Sequence, residues 1–76
     1  REEARATYVA VARALADTAA ARGDVDATTR YSLRVLERDP YDEPAHLGLV
    51  AALERAGRHG EARRRFRAYC ARMDEI

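Results

Sequence analysis

Three observations predict an all-α fold of four helices arranged as two antiparallel helix-turn-helix hairpins. Apolar residues recur at steps of three and four along four stretches, which is the period of a helix with one buried face. Gly57 repeats Gly23 at an offset of 34 positions, and each closes one helical stretch before the next begins. No stretch alternates β-branched and polar residues as a strand would. The short connections make each helix antiparallel to its neighbours.

The first helix is predicted over about Glu3 to Arg22. It ends at Gly23, because glycine tolerates the left-handed conformation that commonly follows a helix. Ala12 and Ala16 are small enough to let a neighbouring helix approach closely. We expect the buried stripe of this helix to be formed by Tyr8, Val11, Leu15 and Ala19.

The second helix is expected to begin after Asp24 or Asp26, since either carboxylate can accept a hydrogen bond from a free backbone N–H. It must end near Asp39, because Pro40 has no N–H and disfavours helix in the residue before it. The inner face predicted for this helix is formed by Val25, Thr28, Ser32, Val35 and Leu36.

The third helix is expected to start at Asp42 or Glu43 and to end at Gly57, with Pro44 in its first turn, where proline is tolerated. Its predicted inner face is formed by His46, Leu49, Val50 and Leu53. The fourth helix is predicted over about Gly60 to Asp74. It carries the most regular apolar stripe of the chain, at Ala62, Phe66, Tyr69, Cys70 and Met73.

Composition excludes several classes of protein. The net charge of +1 gives no overall attraction to nucleic acid or to a membrane surface. The one cysteine cannot form an internal disulfide, which fits a reducing cytoplasm. No apolar run approaches the ~20 residues that span a bilayer, and no signal peptide is present. Because the chain begins with Arg1, we expect it to be a piece of a longer, cytoplasmic protein without a membrane partner.

The 34-residue period, with a glycine between two helical stretches, resembles tetratricopeptide repeats. The resemblance implies stacked hairpins, with one repeat over about residues 9–42 and the next over about residues 43–76. The sequence departs from the repeat pattern at four positions. Ala12 and His46 replace its large aromatic residue, Thr28 replaces a small residue, and Asp74 replaces its closing proline.

A narrower family resemblance covers nearly the whole chain. The run DPYDEPAH at residues 39–46, with the residues that follow it, resembles the bacterial transcriptional activator domain of actinobacterial antibiotic-regulatory activators. The matching residues after the run are Leu49, Leu53, Gly57, Arg58, Glu61, Ala62, Phe66 and Cys70. The resemblance, to the C-terminal half of that domain, implies a part of a transcription regulator that provides protein contacts and oligomerisation. A separate winged helix-turn-helix domain would then read DNA.

We predict no catalytic, metal-binding or cofactor-binding residue, and therefore no enzyme. His46 is better explained as a histidine wedged between helices than as a general base or a ligand. His59 lies in a turn with no plausible partner in sequence, and Cys70 falls within an apolar stripe, where a thiol is buried and inert. No glycine-rich loop followed by lysine is present to bind phosphate.

Two candidate contact surfaces are predicted. By resemblance, the first helix of each repeat lines a partner groove that fits a helix better than an extended peptide. Its residues are Ala10, Arg13, Asp17, Ala20, Leu47, Ala51, Glu54 and Arg55. Residues 55–72 carry seven arginines against one acid, giving +6, and Arg63, Arg64 and Arg67 form a candidate basic face on the fourth helix. A solvated surface, an acidic protein and a phosphate backbone remain alternatives for this face.

The sequence favours a non-catalytic protein–protein interaction or oligomerisation module of a bacterial transcription regulator. The alternatives are a stand-alone tetratricopeptide adaptor that binds a peptide, and nucleic-acid contact through the arginine-rich fourth helix. Two repeats are few, because about three are usually needed to bury a continuous core. We therefore expect a protein partner, another segment of the parent regulator or a homodimer to cover the ends. One such contact could join the acidic residues Glu37, Asp39, Asp42 and Glu43 to the fourth helix of another copy.

Overall fold

The computed structural model describes residues 2–76 as four α-helices joined by short turns. α1 spans Glu2–Ala21, α2 spans Val25–Arg38, α3 spans Glu43–Arg55 and α4 spans His59–Met73. α1 packs against α2, α2 against α3, and α3 against α4, so that two hairpins meet at a seam between α2 and α3. The described residues include no strand. The predicted all-α fold of two helical hairpins is confirmed.

The turns inside the two hairpins have the same conformation. Gly23 and Gly57 have φ angles of 74° and 79°, in the left-handed region. After the first, Asp24 donates its N–H to the carbonyl of Ala19 at 2.9 Å. After the second, Arg58 donates to the carbonyl of Leu53 at 2.9 Å. Both are the pattern that closes a helix with a glycine. The end of α3 and the start of α4 therefore repeat the end of α1 and the start of α2 at the same offset as the two glycines.

Aspartates begin two of the helices. The carboxylate of Asp24 accepts a hydrogen bond from the N–H of Ala27 at 3.0 Å, and that of Asp42 accepts one from the N–H of Ala45 at 3.0 Å. Of the capping residues that the sequence left open, these two are the ones used. Arg58 precedes α4 and makes no side-chain cap.

The core is thin and made mostly of alanine. The helices form a flat array that measures 38 × 31 × 13 Å along its principal axes. Among residues 2–76, only Val35, Leu49 and Leu53 are large side chains that are fully buried. The other buried apolar residues are Ala12, Ala16, Ala19, Ala27, Ala45, Ala52 and Ala62. None of the helices in residues 2–76 has the length and apolar character needed to cross a bilayer.

The buried stripe predicted for α1 was wrong at three of its four positions. Ala19 is buried, but Tyr8, Val11 and Leu15 are 38%, 55% and 42% exposed. α1 instead packs on α2 through its alanine side, with Ala12 and Ala16 buried beside Ala19. The larger apolar residues face away because no helix lies on that side of α1 among the described residues.

The stripe predicted for α4 was also partly wrong. Ala62 is buried, and Tyr69 and Met73 are half-buried, but Phe66 is 46% exposed and Cys70 is exposed. The expectation of a buried thiol therefore fails, because α4 is covered only on the side that faces α3. The inner faces predicted for α2 and α3 are correct, with every residue buried or half-buried.

The two kinds of glycine predict opposite effects of alanine. Gly57→Ala should lower the free energy of unfolding by about 1–2 kcal/mol, because a β-carbon is strained at positive φ. Gly48→Ala should raise it by about 0.5–1 kcal/mol, because Gly48 lies inside α3 and a β-carbon there would meet no atom within 4 Å. Urea denaturation measures both, and equal effects of the two substitutions would contradict the assigned turn geometry.

Candidate protein-contact surfaces

In the described part of the chain, two ion pairs join the hairpins, Arg58 with Asp26 and Arg13 with Asp42, and only the second involves a buried carboxylate. Arg13 of α1 donates two hydrogen bonds to the carboxylate of Asp42, at 3.0 and 2.5 Å, across 29 residues of sequence. Asp42 is buried and also caps α3, so one carboxylate fixes both the start of α3 and its position on α1. The hydrogen bond from Arg13 is the main reason that the pKa of Asp42 lies below its usual value. The same bond raises the pKa of Arg13.

His46 has a packing role inside the second hairpin. Its ring is buried, its Nε2 lies 2.7 Å from the carbonyl oxygen of Pro40, and its centroid lies 5.4 Å from that of Tyr69. The hydroxyl of Tyr69 donates to Glu43, which raises the pKa of Tyr69. His46 thus lies wedged between helices, as the sequence suggested.

His59 has a partner that was not predicted from the sequence. Its Nδ1 lies 2.7 Å from a carboxylate oxygen of Glu54, across the turn between α3 and α4. Both side chains are largely exposed. Within residues 2–76, no three His, Cys, Asp or Glu side chains are grouped so that they could hold a metal ion.

The eight residues predicted for a partner groove lie on several surfaces. Arg13, Asp17 and Ala20 line a cleft of about 130 Å³ between α1, α2 and α3, where Asp42 already engages Arg13. Leu47 and Ala51 lie on the exposed side of α3. The remaining three each line a different depression: Ala10 beside Arg38, Glu54 between α3 and α4, and Arg55 beside Ala20.

The candidate basic face lies on the outer side of α4. Arg63, Arg64 and Arg67 are exposed, and none has a carboxylate within 4 Å among residues 2–76. By contrast, Arg58 pairs with Asp26 and Glu61. The unpaired arginines therefore concentrate positive charge on this side of the molecule.

The acidic cluster predicted to meet that face is largely engaged within the chain. Asp42 binds Arg13, Glu43 accepts the hydroxyl of Tyr69, and Asp39 accepts the N–H of Tyr41 at 3.1 Å. Glu37 is exposed, and no partner is found for it among the described residues.

Two apolar surfaces at opposite ends of the molecule are uncovered. The α1 end face consists of Tyr8, Val11, Leu15 and Tyr31, which line one shallow depression. Arginines stack near its rings, with the guanidinium of Arg38 4.5 Å from the ring centre of Tyr8. The apolar spacing of Tyr8, Val11 and Leu15 indicated this face in the sequence, but the prediction placed these residues in the core.

The α4 end face is a groove of about 330 Å³ between α3 and α4. It is lined by Val50, Glu54, Ala62 and Phe66, and flanked by Arg63 and Arg67. Apolar side chains with aromatic and arginine neighbours are typical of protein interfaces. Both end faces therefore have the composition of a contact surface.

Comparison with known proteins gives one family. The profile of the family described as "Bacterial transcriptional activator domain" matches residues 1–75. No curated protein and no solved structure matches the chain.

Removing the carboxylate charge at the seam should destabilise the fold. We expect Asp42→Asn to lower the free energy of unfolding by about 1–3 kcal/mol, because a charged hydrogen-bonded group loses its partner. Urea denaturation measures the change. Glu37→Gln is the matched control and should change stability by less than ~0.5 kcal/mol, since Glu37 is exposed. Equal effects of the two substitutions would contradict a stabilising role for the pair.

The same carboxylate predicts a loss of stability in acid. Because the pKa of Asp42 is lowered by folding, the unfolded chain binds its proton first as the pH falls below about 4. The contribution of Asp42 is thus complete above that pH and is lost as the pH falls through the folded pKa. The difference in unfolding free energy between wild type and Asp42→Asn should therefore shrink between neutral pH and pH ~2. A pH-independent difference would show that the carboxylate charge does not matter.

Proposed function

The chain belongs to the family of bacterial transcriptional activator domains, and we propose from this premise that it is a non-catalytic protein-contact and oligomerisation module. A domain of this family is part of a transcription regulator, and the family is not a known family of enzymes. In our proposal the regulator works in the cytoplasm and contacts DNA through a separate domain.

The uncovered end faces are the observation that carries the proposal. Leu15 is 42% exposed, whereas Leu49, its counterpart 34 positions later, is 1% exposed. Val11 is 55% exposed, whereas its counterpart Ala45 is 8% exposed. The later residues are covered because α3 lies against the first hairpin. The earlier ones present the same kind of surface to water, where apolar area is unfavourable and a partner would cover it.

The reactive side chains support a non-catalytic role. His46 is buried with its Nε2 against a backbone carbonyl, and His59 is held by Glu54. Asp42, the most strongly held carboxylate, binds a guanidinium and a helix N-terminus. These groups stabilise turns and helix contacts in the hairpins, which supports a structural role for them.

The proposal is tested in the regulator that contains this chain. Leu15→Glu should lower transcription from the target promoter by about 10-fold, because a charge in an apolar contact weakens it by at least that factor. Binding of the regulator to its operator fragment, measured at a concentration where it is monomeric, should stay unchanged. Ala6→Glu, also exposed on α1 but outside the α1 end face, is the control.

Two results would contradict the proposal. Unchanged transcription with both Leu15→Glu and Phe66→Glu would show that neither end face makes a needed contact. A loss of DNA affinity in the isolated chain on joint reversal of Arg63 and Arg67 to Glu would instead favour nucleic-acid contact through α4. Circular dichroism confirms that each variant keeps its helices.

A further inference from the structure

We propose that copies of this chain stack end to end, with the α1 end face of one copy docked on the α4 end face of the next. The docking repeats the geometry in which α3 lies on α1 and α2 within one chain. This inference rests on the proposed contact function and names its partner as a second copy of the same chain.

The α4 end face, which would receive α1 of the next copy, has a counterpart inside the molecule. Ala16, Ala20, Thr28 and Ser32 form the first hairpin's side of the cleft between that hairpin and α3. Their counterparts 34 positions later are Val50, Glu54, Ala62 and Phe66, and all four line the groove of the α4 end face. The surface that receives a helix in the middle of the molecule is therefore present again at its end, where it is open.

The exposed side of α1, which would dock on the next copy, also has a counterpart inside the molecule. α3 presents Ala45 and Gly48 to the same cleft, and Leu49 packs in the core beside them. Their counterparts 34 positions earlier are Val11, Ala14 and Leu15, on the exposed side of α1. In a stacked pair, α1 of the second copy would lie against α3 and α4 of the first copy, just as α3 lies against the first hairpin within one chain. Val11 and Leu15 would then be covered.

The central ion pair of the internal contact becomes an apolar pair between copies. At the same offset, Leu47 of the first copy takes the place of Arg13, and Tyr8 of the second copy takes the place of Asp42. Each of these two side chains is 38% exposed in the single chain. The contact between copies is therefore complementary, because Leu47 and Tyr8 are both largely apolar where Arg13 and Asp42 are both charged.

Charged residues around the stack are complementary as well. Ala20 shares a depression with Arg55 and Ala56. The same displacement places Glu54 of the first copy opposite Ala21 and Arg22 of the second. An acid and a base would thus meet at one edge of the interface.

A second charged contact follows from the pair between Asp26 and Arg58, whose atoms lie 3.0 Å apart. At the offset of 34 residues, Gly60 of the first copy takes the place of Asp26, and Asp24 of the second copy takes the place of Arg58. The guanidinium groups of Arg63 and Arg64 lie beside Gly60, each 3.9 Å from the position of a β-carbon there. The otherwise unpaired arginines of α4 would gain a carboxylate, which favours a second copy over a partner of unrelated charge.

Such a contact joins two different surfaces, so it does not close on itself. Each docked copy leaves one α1 end face and one α4 end face open, and the assembly grows into chains of copies. Sedimentation velocity or light scattering of the wild-type chain should therefore show a mean mass that rises with concentration past twice the monomer mass.

Two substitutions, one on each face, make the test sharp. Val11→Glu places a charge on the α1 end face, and Phe66→Glu places a charge on the α4 end face. Each substitution should lower self-association at least about 10-fold. In an equimolar mixture, the intact α1 end face of the Phe66→Glu chain can still dock on the intact α4 end face of the Val11→Glu chain. The mixture should therefore form a dimer of one copy of each variant and nothing larger.

Matched controls are two exposed alanines outside the faces, Ala6→Glu on α1 and Ala71→Glu on α4, which should associate as the wild type does. Helical circular dichroism should be equal in all variants. A mixture that stays monomeric while the wild type associates would overturn end-to-end stacking, as would a wild-type dimer that grows no further.

A wild-type chain that is monomeric at every concentration would also overturn the stacking proposal and would leave another segment of the parent regulator or a different protein to cover the end faces. The contact function would then be judged by the transcription assay alone. Loss of promoter activity with Leu15→Glu, together with a monomeric chain, would leave that function standing.

Discussion

The structure depends on helices that approach one another through alanine. Because alanine has almost no side chain, the helix backbones can pack closely, and they form a flat array whose shortest dimension is 13 Å. The cost is a small core with only Val35, Leu49 and Leu53 as large, fully buried side chains. Several other large apolar residues, among them Val11, Leu15 and Phe66, are exposed on the outer sides of the hairpins and belong to the two end faces. A thin array of this kind leaves part of its apolar surface exposed, and this exposed surface is the physical basis of the proposed contact with another polypeptide.

At the seam between the hairpins, polar groups set the geometry. Asp42 begins α3 and at the same time holds it on α1 through Arg13. Neither task requires a large side chain, so the seam remains specific although its apolar residues are small. In the second hairpin, the hydrogen bond of His46 to the carbonyl of Pro40 satisfies a buried polar ring, and Tyr69 adds an exposed hydrogen bond to Glu43.

The helices, their turns and their caps could be predicted because they depend on neighbours in sequence. Gly23 ends α1 and Asp24 caps α2 within a few residues of the backbone groups they serve. The inner faces of α2 and α3 were also predictable, since both helices lie in the middle and apolar spacing there coincides with burial. For α1 and α4 the same spacing identified an apolar side but not whether anything covers it, so Leu15 and Phe66 were placed in the core. The pairing of Arg13 with Asp42 depends on how α3 is seated on α1, which no local pattern encodes.

The exposure of Cys70 has a practical consequence. It is the one thiol in the chain, it lies on the outer side of the last helix, and the sequence contains no lysine. A maleimide reagent will therefore label each copy at one defined position, and amine-reactive reagents will find no side chain to modify. A fluorophore or spin label attached there would report distances between the copies of the proposed stack without the cysteine substitutions that such measurements usually require.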